Sequence, residues 1–517
     1  MLRIAHGSTT SDTIESVNLE SLSAGSGNFD FPESKSPPKP TPFTYLFEDL
    51  SDDEDSLILH SPDTLKNLSQ LGEMMRDTDH EGTYNSNIPS IYTYFGQFVD
   101  HDVTFTNIEK PAWVTDSELL DCKALWPWTK QEILAKISNK RTSLLDLDCV
   151  YGAMKGGVLP PVRKGNPDEF GVGQVHKSGN PVKHKDQYND VPRGPKDPNP
   201  KQDRAALIAD PRNDSHVIIS QMHVAFLRAH NAIVHQEKCS FEEARRILQM
   251  HYQWIVIKEF LPTIVSQEAI DNAMKGPVYD PAKGLPLEFA VGAYRFGHSM
   301  VRNLYYLNEH HARISLPTLF TLTMLSDSTH PTPNSGFETL PERAVIEWRK
   351  FLDAKENAAR AIRPKMVEPL FEMLDEANIK VPGECRLSVL DLKRSYMMRI
   401  PTGQAIAKEL GVAPLSATEI ESVFQDANDQ DFLRKTTLST RTPLLFYVLA
   451  EAALNKEGKL GPVGGRLVAK VLIGLVKSHK YSFLNNDQWS PHAGQTKGQF
   501  SLADLLQLAG VLEPINN

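Results

Sequence analysis

The sequence predicts one large, mainly α-helical domain with long irregular loops and little β structure, behind a flexible arm. Three observations predict it. Apolar residues recur at three- and four-residue spacing in several long segments, and this periodicity begins near residue 60. The first 42 residues are rich in Ser, Thr and Pro, end in KSPPKPTP and offer little that could pack. A chain of 517 residues can also bury a core large enough to enclose a cofactor. The reading is an arm over 1–42 and a single domain over 43–517.

Residues 48–55, EDLSDDED, lack the alternating ligands and turn glycine of a calcium hand, so they read as solvated surface. Next, YTYFGQFVDHDVTF at 92–105 puts Gln97, Asp100 and His101 at i, i+3 and i+4, on one helix face inside an aromatic-rich segment. Such a polar stripe is costly to bury without partners; by itself it reads as a satisfied cap network or as a site. Residues 153–206 are Gly-, Pro- and Lys-rich without periodicity, a long irregular excursion of the kind more often functional than idle. The turn Asp210-Pro211-Arg212-Asn213-Asp214 leads into a helix over 216–236, where Ile219, Met222, Phe226, Ala229, Ile233 and Val234 form the apolar face. Taken alone, Arg212 is an ion-pair partner ahead of a helix. Helical spacing recurs at 241–260, 344–354, 365–377 and 466–477. In FAVGAYRFGHSMVRNLYYLN at 289–308, His298 sits among apolar and aromatic residues and on its own reads as a core histidine.

Composition excludes several classes. With 55 Lys+Arg against 65 Asp+Glu the net charge is −10, which argues against nucleic acid as the main partner. No apolar stretch reaches the roughly 20 residues needed to span a bilayer; the best candidates are interrupted by Glu451 and Lys470. The start, MLRIAHGSTTSDTIESVNLE, has no apolar core of a signal peptide, so a cytoplasmic location or export by another route is expected. Cys122, Cys149, Cys239 and Cys385 are scattered and form no CxxC pair, suggesting neither a zinc site nor a disulfide scaffold. No HExxH occurs, and there is no internal repeat.

In their order and wording, GQFVDHD, DPRND and YRFGHS together resemble the distal-histidine, catalytic-arginine and proximal-histidine motifs of the animal-type haem peroxidases, in the peroxidase–cyclooxygenase superfamily. The stretch PLLFYVLAEAALNKEGKLGPVGGRLVAKVLIGL is similar to that family's C-terminal region, so the resemblance covers residues 45–490. It implies a helical haem-peroxidase domain, with His298 as axial iron ligand and His101 as the acid–base that handles the protons of hydrogen peroxide, Gln97 and Arg212 beside it. The implied donors are small molecules: phenols, or iodide, thiocyanate or bromide. A part in the response to oxidative stress follows from the same resemblance.

The resemblance also assigns finer roles. Asp102, Thr142, the Leu144 carbonyl, Asp146 and Asp148 match the family's ligands for one calcium ion, an all-oxygen set suited to a hard cation. Asp100 stands where members form one haem ester, whereas Ser215 replaces the Glu of the second ester and His216 the Met that some members join to haem. Adjacent Asp214 should be turned away. The cofactor is therefore expected to be haem b or singly ester-linked haem. In LDLKRSYMMRIPTGQ, Asp391 replaces the Asn that bonds the axial histidine, with Arg394 and Arg295 as candidates for the haem propionates. A carboxylate there would give the axial ligand imidazolate character. Two alternatives accompany the peroxidase reading. Fatty-acid dioxygenases of the superfamily carry a Tyr three residues before the axial His, where this chain has Arg295. An adhesive, peroxinectin-like haem protein is the other, but no Arg-Gly-Asp tripeptide occurs.

Overall fold

A computed structural model describes residues 9–10, 29–31, 41–79, 82–108, 128–152, 159–177, 187–199, 202–277, 279–326, 332–372, 386–455 and 457–512. The 1–42 arm therefore lies almost wholly outside the described residues, as do Cys122 and Cys385. The described part is mainly helical around one continuous apolar core. Its longer helices are α1 (Thr64–Met74), α2 (Ile91–Val103), α3 (Val217–Glu237), α4 (Phe241–Ile255), α5 (Gln267–Lys275), α6 (Leu387–Met397), α7 (Leu444–Leu454) and α8 (Pro462–Ser478). Strands are short and pair in twos and threes, as in Ile137–Asn139 antiparallel to Thr106–Ile108.

The centre is α3, 21 residues long and buried over most of its length, so that even Ser220, Gln221, His223 and His230 lie inside the protein. Against it lies α2, with Phe98 stacked on Phe226 at 4.4 Å between ring centroids. Phe95 meets Tyr252 of α4 and Phe260, which lies in the π turn that continues α4. Helices α1 and α6 approach closely at Gly72: a Cβ there would lie 2.5 Å from Val389 Cγ2, and Ser388 Oγ donates to the Gly72 carbonyl. Glu451, which breaks the apolar run of α7, accepts the N–H groups of Val463 and Gly464 and so caps α8. Burial pushes its carboxyl up to about 7. Among the described residues no helix is long and apolar enough to cross a membrane.

Helices expected at 216–236, 241–260 and 466–477 are present. That at 344–354 shortens to Trp348–Leu352. The one at 365–377 is absent in its described part: Met366–Val367 is a strand parallel to Arg76–Asp77, followed by a 3-10 turn at Glu368–Phe371. Pro369 explains the difference: without an N–H it cannot sit inside a helix running from residue 365, and it stands instead in the first turn of the 3-10 segment. Residues 373–377 lie outside the described set. The excursion at 153–206 contains one small hairpin, Val162–Arg163 with Asn166–Phe170, turned by Gly165 at φ +73°. The acidic run at 48–55 is tied down by Lys130–Asp52, Arg399–Glu54 and Arg441–Asp55 pairs.

Candidate active site

The three motifs converge. His101, on the inner face of α2, is 0 % exposed, and its Nδ1 lies 2.7 Å from Asn213 Oδ1. The Asn213 amide nitrogen in turn reaches His223 Nδ1 at 3.0 Å. The carbonyl oxygen of Asn213 can only accept, so the proton sits on Nδ1 of His101 and its Nε2 carries the lone pair. Burial, reinforced by the charge of Arg212, lowers the His101 pKa to about 4 against the opposing pull of Asp210 and Asp100. The ring is neutral at neutral pH.

Arg212 emerges from the 3-10 turn Pro211–Asp214. Its Nε donates to Asp210 Oδ1 at 3.0 Å, and its Nη2 to Asp210 Oδ2 at 2.6 Å, the His101 carbonyl at 3.0 Å and the Thr104 carbonyl at 2.7 Å. The guanidinium stacks 4.3 Å from the centroid of Phe105. Among the described residues only Nη1 finds no hydrogen-bond partner. Asp210 also pairs with buried Arg141. Although burial pushes the Asp210 carboxyl up, Arg212 and Arg141 hold it well below the usual carboxylate range. Gln97, half-buried one turn before His101, bonds His216 Nε2 through Oε1 at 3.0 Å.

His298 lies in the 3-10 segment Ala293–Met300, with Nδ1 2.7 Å from Asp391 Oδ2 of α6. That leaves Nε2 as the nitrogen a metal would take. Gly297 beside it faces open space, with nothing within 4 Å of where a Cβ would stand. This segment is tied to the His101 helix twice: Tyr294 OH donates to the Gly96 carbonyl at 3.3 Å, and Arg295 Nη1 stands 3.5 Å from Asp100 Oδ2. Among the described residues neither Asp100 oxygen accepts a hydrogen bond and Arg295 Nη2 donates none, though all three atoms are buried. Arg394 is buried on α6 three residues after Asp391. Asp214 is turned into a two-bond pair with Arg193 and a bond from Ser220, as its offset predicts.

Asp102 points the other way from His101, accepting the N–H groups of Leu147 and Cys149 at 3.2 Å each. Thr142 Oγ1 donates to Asp146 at 2.9 Å, and Asp148 lies 3.5 Å from Arg141. The loop is coiled tightly, with Ser143, Leu145 and Leu147 all at left-handed φ between 48° and 59°. Burial pushes the Asp102, Asp146 and Asp148 carboxyls up. Among the described residues no three His, Cys, Asp or Glu side chains are placed to hold a metal ion by themselves. The other oxygens of the expected set come from Thr142 and the Leu144 carbonyl.

Three residues with site geometry were given no such role by the sequence: Asn213, which orients His101; Asp210, which clamps Arg212; and His216, noted only for standing in place of a Met, which bonds Gln97. The first two stand inside DPRND, but only the folded contact shows what each holds. A separate open groove of about 1280 Å³ runs beside Arg163, Gly173, Arg228 and Ala509, and no motif histidine lines it.

Residues 126–341 match the model of the Animal haem peroxidase family, a span that holds Arg212 and His298 but begins after His101. A Peroxidase-like protein of Margaritifera margaritifera is 26% identical over 261 residues, 41% of this chain and 32% of that one. A Peroxidasin homolog of Caenorhabditis briggsae is 24% identical over 391 residues, 64% of this chain and 28% of that one. The chain thus spans a third or less of the length of these relatives. In fold it is similar to Peroxidase A from Dictyostelium discoideum (TM-score 0.55, 16% identity, 86% of this chain and 90% of that one). It is equally similar to Oryza sativa fatty acid alpha-dioxygenase (TM-score 0.53, 13% identity, 94% and 80%). The family match over residues 126–341, the peroxidase relatives and this shared architecture agree with the three motifs, and together they make the chain similar to the animal haem peroxidases.

Proposed function

We propose that this protein is a haem peroxidase that reduces hydrogen peroxide and oxidises small donors, phenols or readily oxidised anions. The observation that carries the reading is the neutral His101, held by Asn213 with its basic nitrogen unprotonated, beside an Arg212 clamped on every nitrogen but Nη1. The residues fit a haem. Buried polar atoms of Asp100 and Arg295 lack hydrogen bonds among the described residues where the His101 helix meets the segment of His298, whose Nδ1 is engaged by Asp391, and Arg212 Nη1, on the guanidinium that reaches the His101 carbonyl, lacks one as well. The open space beside Gly297 adjoins the same histidine. In this reading His298 would hold the iron through Nε2, and Arg295 and Arg394 would pair with the propionates. When bound, the haem supplies the electron transfer between peroxide and donor.

The protein groups handle protons and charge. His101 Nε2 takes the proton from the first peroxide oxygen and returns it to the second as the O–O bond breaks, releasing water. Arg212 stabilises the negative charge that develops on the departing oxygen. Asp391 accepts the proton of His298 Nδ1, making that ring a stronger electron donor than an amide partner would. The reading takes residues 43–517 as the catalytic domain and 1–42 as an arm. Its test is the absorption spectrum of the haem-loaded protein. A Soret band that shifts on adding peroxide and returns on adding a phenol supports it; an unchanged band overturns it. The likeness to alpha-dioxygenase supports fatty-acid oxygenation as a second reading, although Arg295 stands where those enzymes' Tyr is expected. Oxygen uptake with a fatty acid, without peroxide, would favour that reading.

Two further outcomes follow. Asp100 is the one carboxylate of the expected ester pair, because Ser215 holds the second position and Asp214 is committed to Arg193. After peroxide turnover, mass spectrometry of the digested protein should find haem on a single peptide containing Asp100, and none in Asp100→Asn. Haem joined to two peptides would contradict this. For calcium, three buried carboxylates beside one arginine leave negative charge that a divalent cation offsets. Exhaustive chelation should lower the unfolding midpoint by several degrees and calcium should restore it. An unchanged midpoint removes the calcium assignment of Asp102, Thr142, Leu144, Asp146 and Asp148.

A further inference from the structure

His216 uses both ring nitrogens, and together they fix the direction of a neighbouring amide. Its Nδ1 accepts the Ile219 N–H at 3.3 Å and so caps α3. A backbone N–H can only donate, so Nδ1 holds the lone pair and the proton of the neutral ring is on Nε2. The ring is 3 % exposed, wedged edge-on against Tyr94 at 5.3 Å and Phe320 at 5.0 Å. Burial, and then the nearby His101, keep it neutral, with a pKa of about 3. Nε2–H must therefore donate to the side chain 3.0 Å away, and Gln97 must meet it with its oxygen. A glutamine amide is ordinarily ambiguous by a half-turn; here the Ile219 N–H removes the ambiguity through the ring. The amide nitrogen of Gln97 is then the end not turned to His216, and Gln97 stands one helical turn before His101 on α2.

We propose that His216 is a positioning residue that locks Gln97 as a hydrogen-bond donor into the His101 pocket, where it binds a small acceptor ligand. The pocket then offers a ligand two donors, Gln97 Nε2 and Arg212 Nη1, and one acceptor, His101 Nε2. The proposal rests on the haem-peroxidase reading, because the ligand would lie beside the iron.

The test uses haem-loaded ferric protein and fluoride, an anion that only accepts hydrogen bonds, titrated by absorbance. Asn at position 216 can still cap α3 but is too short to hold Gln97; Gln can reach Gln97 but caps poorly. His216→Asn should keep the cap of α3, lose stability only through the lost packing on Tyr94 and Phe320, and weaken fluoride binding about tenfold, the worth of one hydrogen bond to a charged ligand. His216→Gln should lower the midpoint and keep fluoride affinity near the parent's. Gln97→Leu should weaken fluoride by the same factor, and the His216→Asn, Gln97→Leu double variant no further. Unchanged fluoride affinity in Gln97→Leu, or additive losses in the double variant, overturns the proposal. Failure of the parent protein to take up haem would instead sink the function reading, before any variant is made.

Discussion

Replacing His101 by Leu should slow the reaction of the haem-loaded protein with hydrogen peroxide by about 10⁴-fold, the upper end of what a placed acid–base group contributes. The expectation is this large because no neighbour can substitute. Arg212 is a guanidinium bound to Asp210 and does not release a proton, and Asn213 and Gln97 have none to exchange at neutral pH. Both nitrogens of His216 are occupied by Ile219 and Gln97, and His223 is separated from His101 by Asn213. Stopped-flow absorbance measures the effect directly. The pH profile of the parent protein gives a second check. The reactive form is the neutral ring, and the pKa is lowered to about 4, so the rate should be flat from pH 8 to pH 5 and fall as the ring protonates below about 4. An unshifted histidine would begin to fall near 6.5. A rate within tenfold of the parent in His101→Leu would dismiss the proposed proton path.

The helices nearest the site were legible because their sequences are extreme. Helix α3 repeats apolar residues over 21 positions, and α2 sets a polar triad in an aromatic frame. The segment at 365–377 was misread because apolar spacing there is real but serves a strand and a turn, with Pro369 deciding against the helix. The candidate site was legible in outline: Gln97, Asp100, His101, Arg212, His298 and Asp391 lie in motifs, and the fold gathers them. Less legible were the residues that aim these groups. That Asn213 sets the tautomer of His101, or that Arg295 turns toward Asp100, depends on contacts between segments more than 100 residues apart. Local periodicity carries no information about such pairs. The Arg295 contact also refines its expected place near a propionate, since one nitrogen of its fork already faces Asp100.

Arg212→Ala should cost about 10²–10³-fold in the same reaction, as for loss of one donor aimed at developing charge. The loss is smaller than for His101 because no proton path is broken; only charge goes uncompensated. Arg212→Lys should recover little of it. The clamp on Asp210 and on the His101 and Thr104 carbonyls uses the planar fork, which leaves Nη1 over for a ligand. A lysine has one nitrogen, and the two carbonyls and Asp210 would claim it. Asp210→Asn separates clamp from charge. It keeps the positive charge of Arg212 while weakening the anchors of both Arg212 and Arg141. Its rate should therefore fall between those of the parent and Arg212→Ala, with a lowered unfolding midpoint that Arg212→Ala does not share to the same degree, because Arg141 keeps its partner there. If Arg212→Lys reacted as fast as the parent protein, a bare positive charge would suffice and the argument from the clamped fork would be wrong.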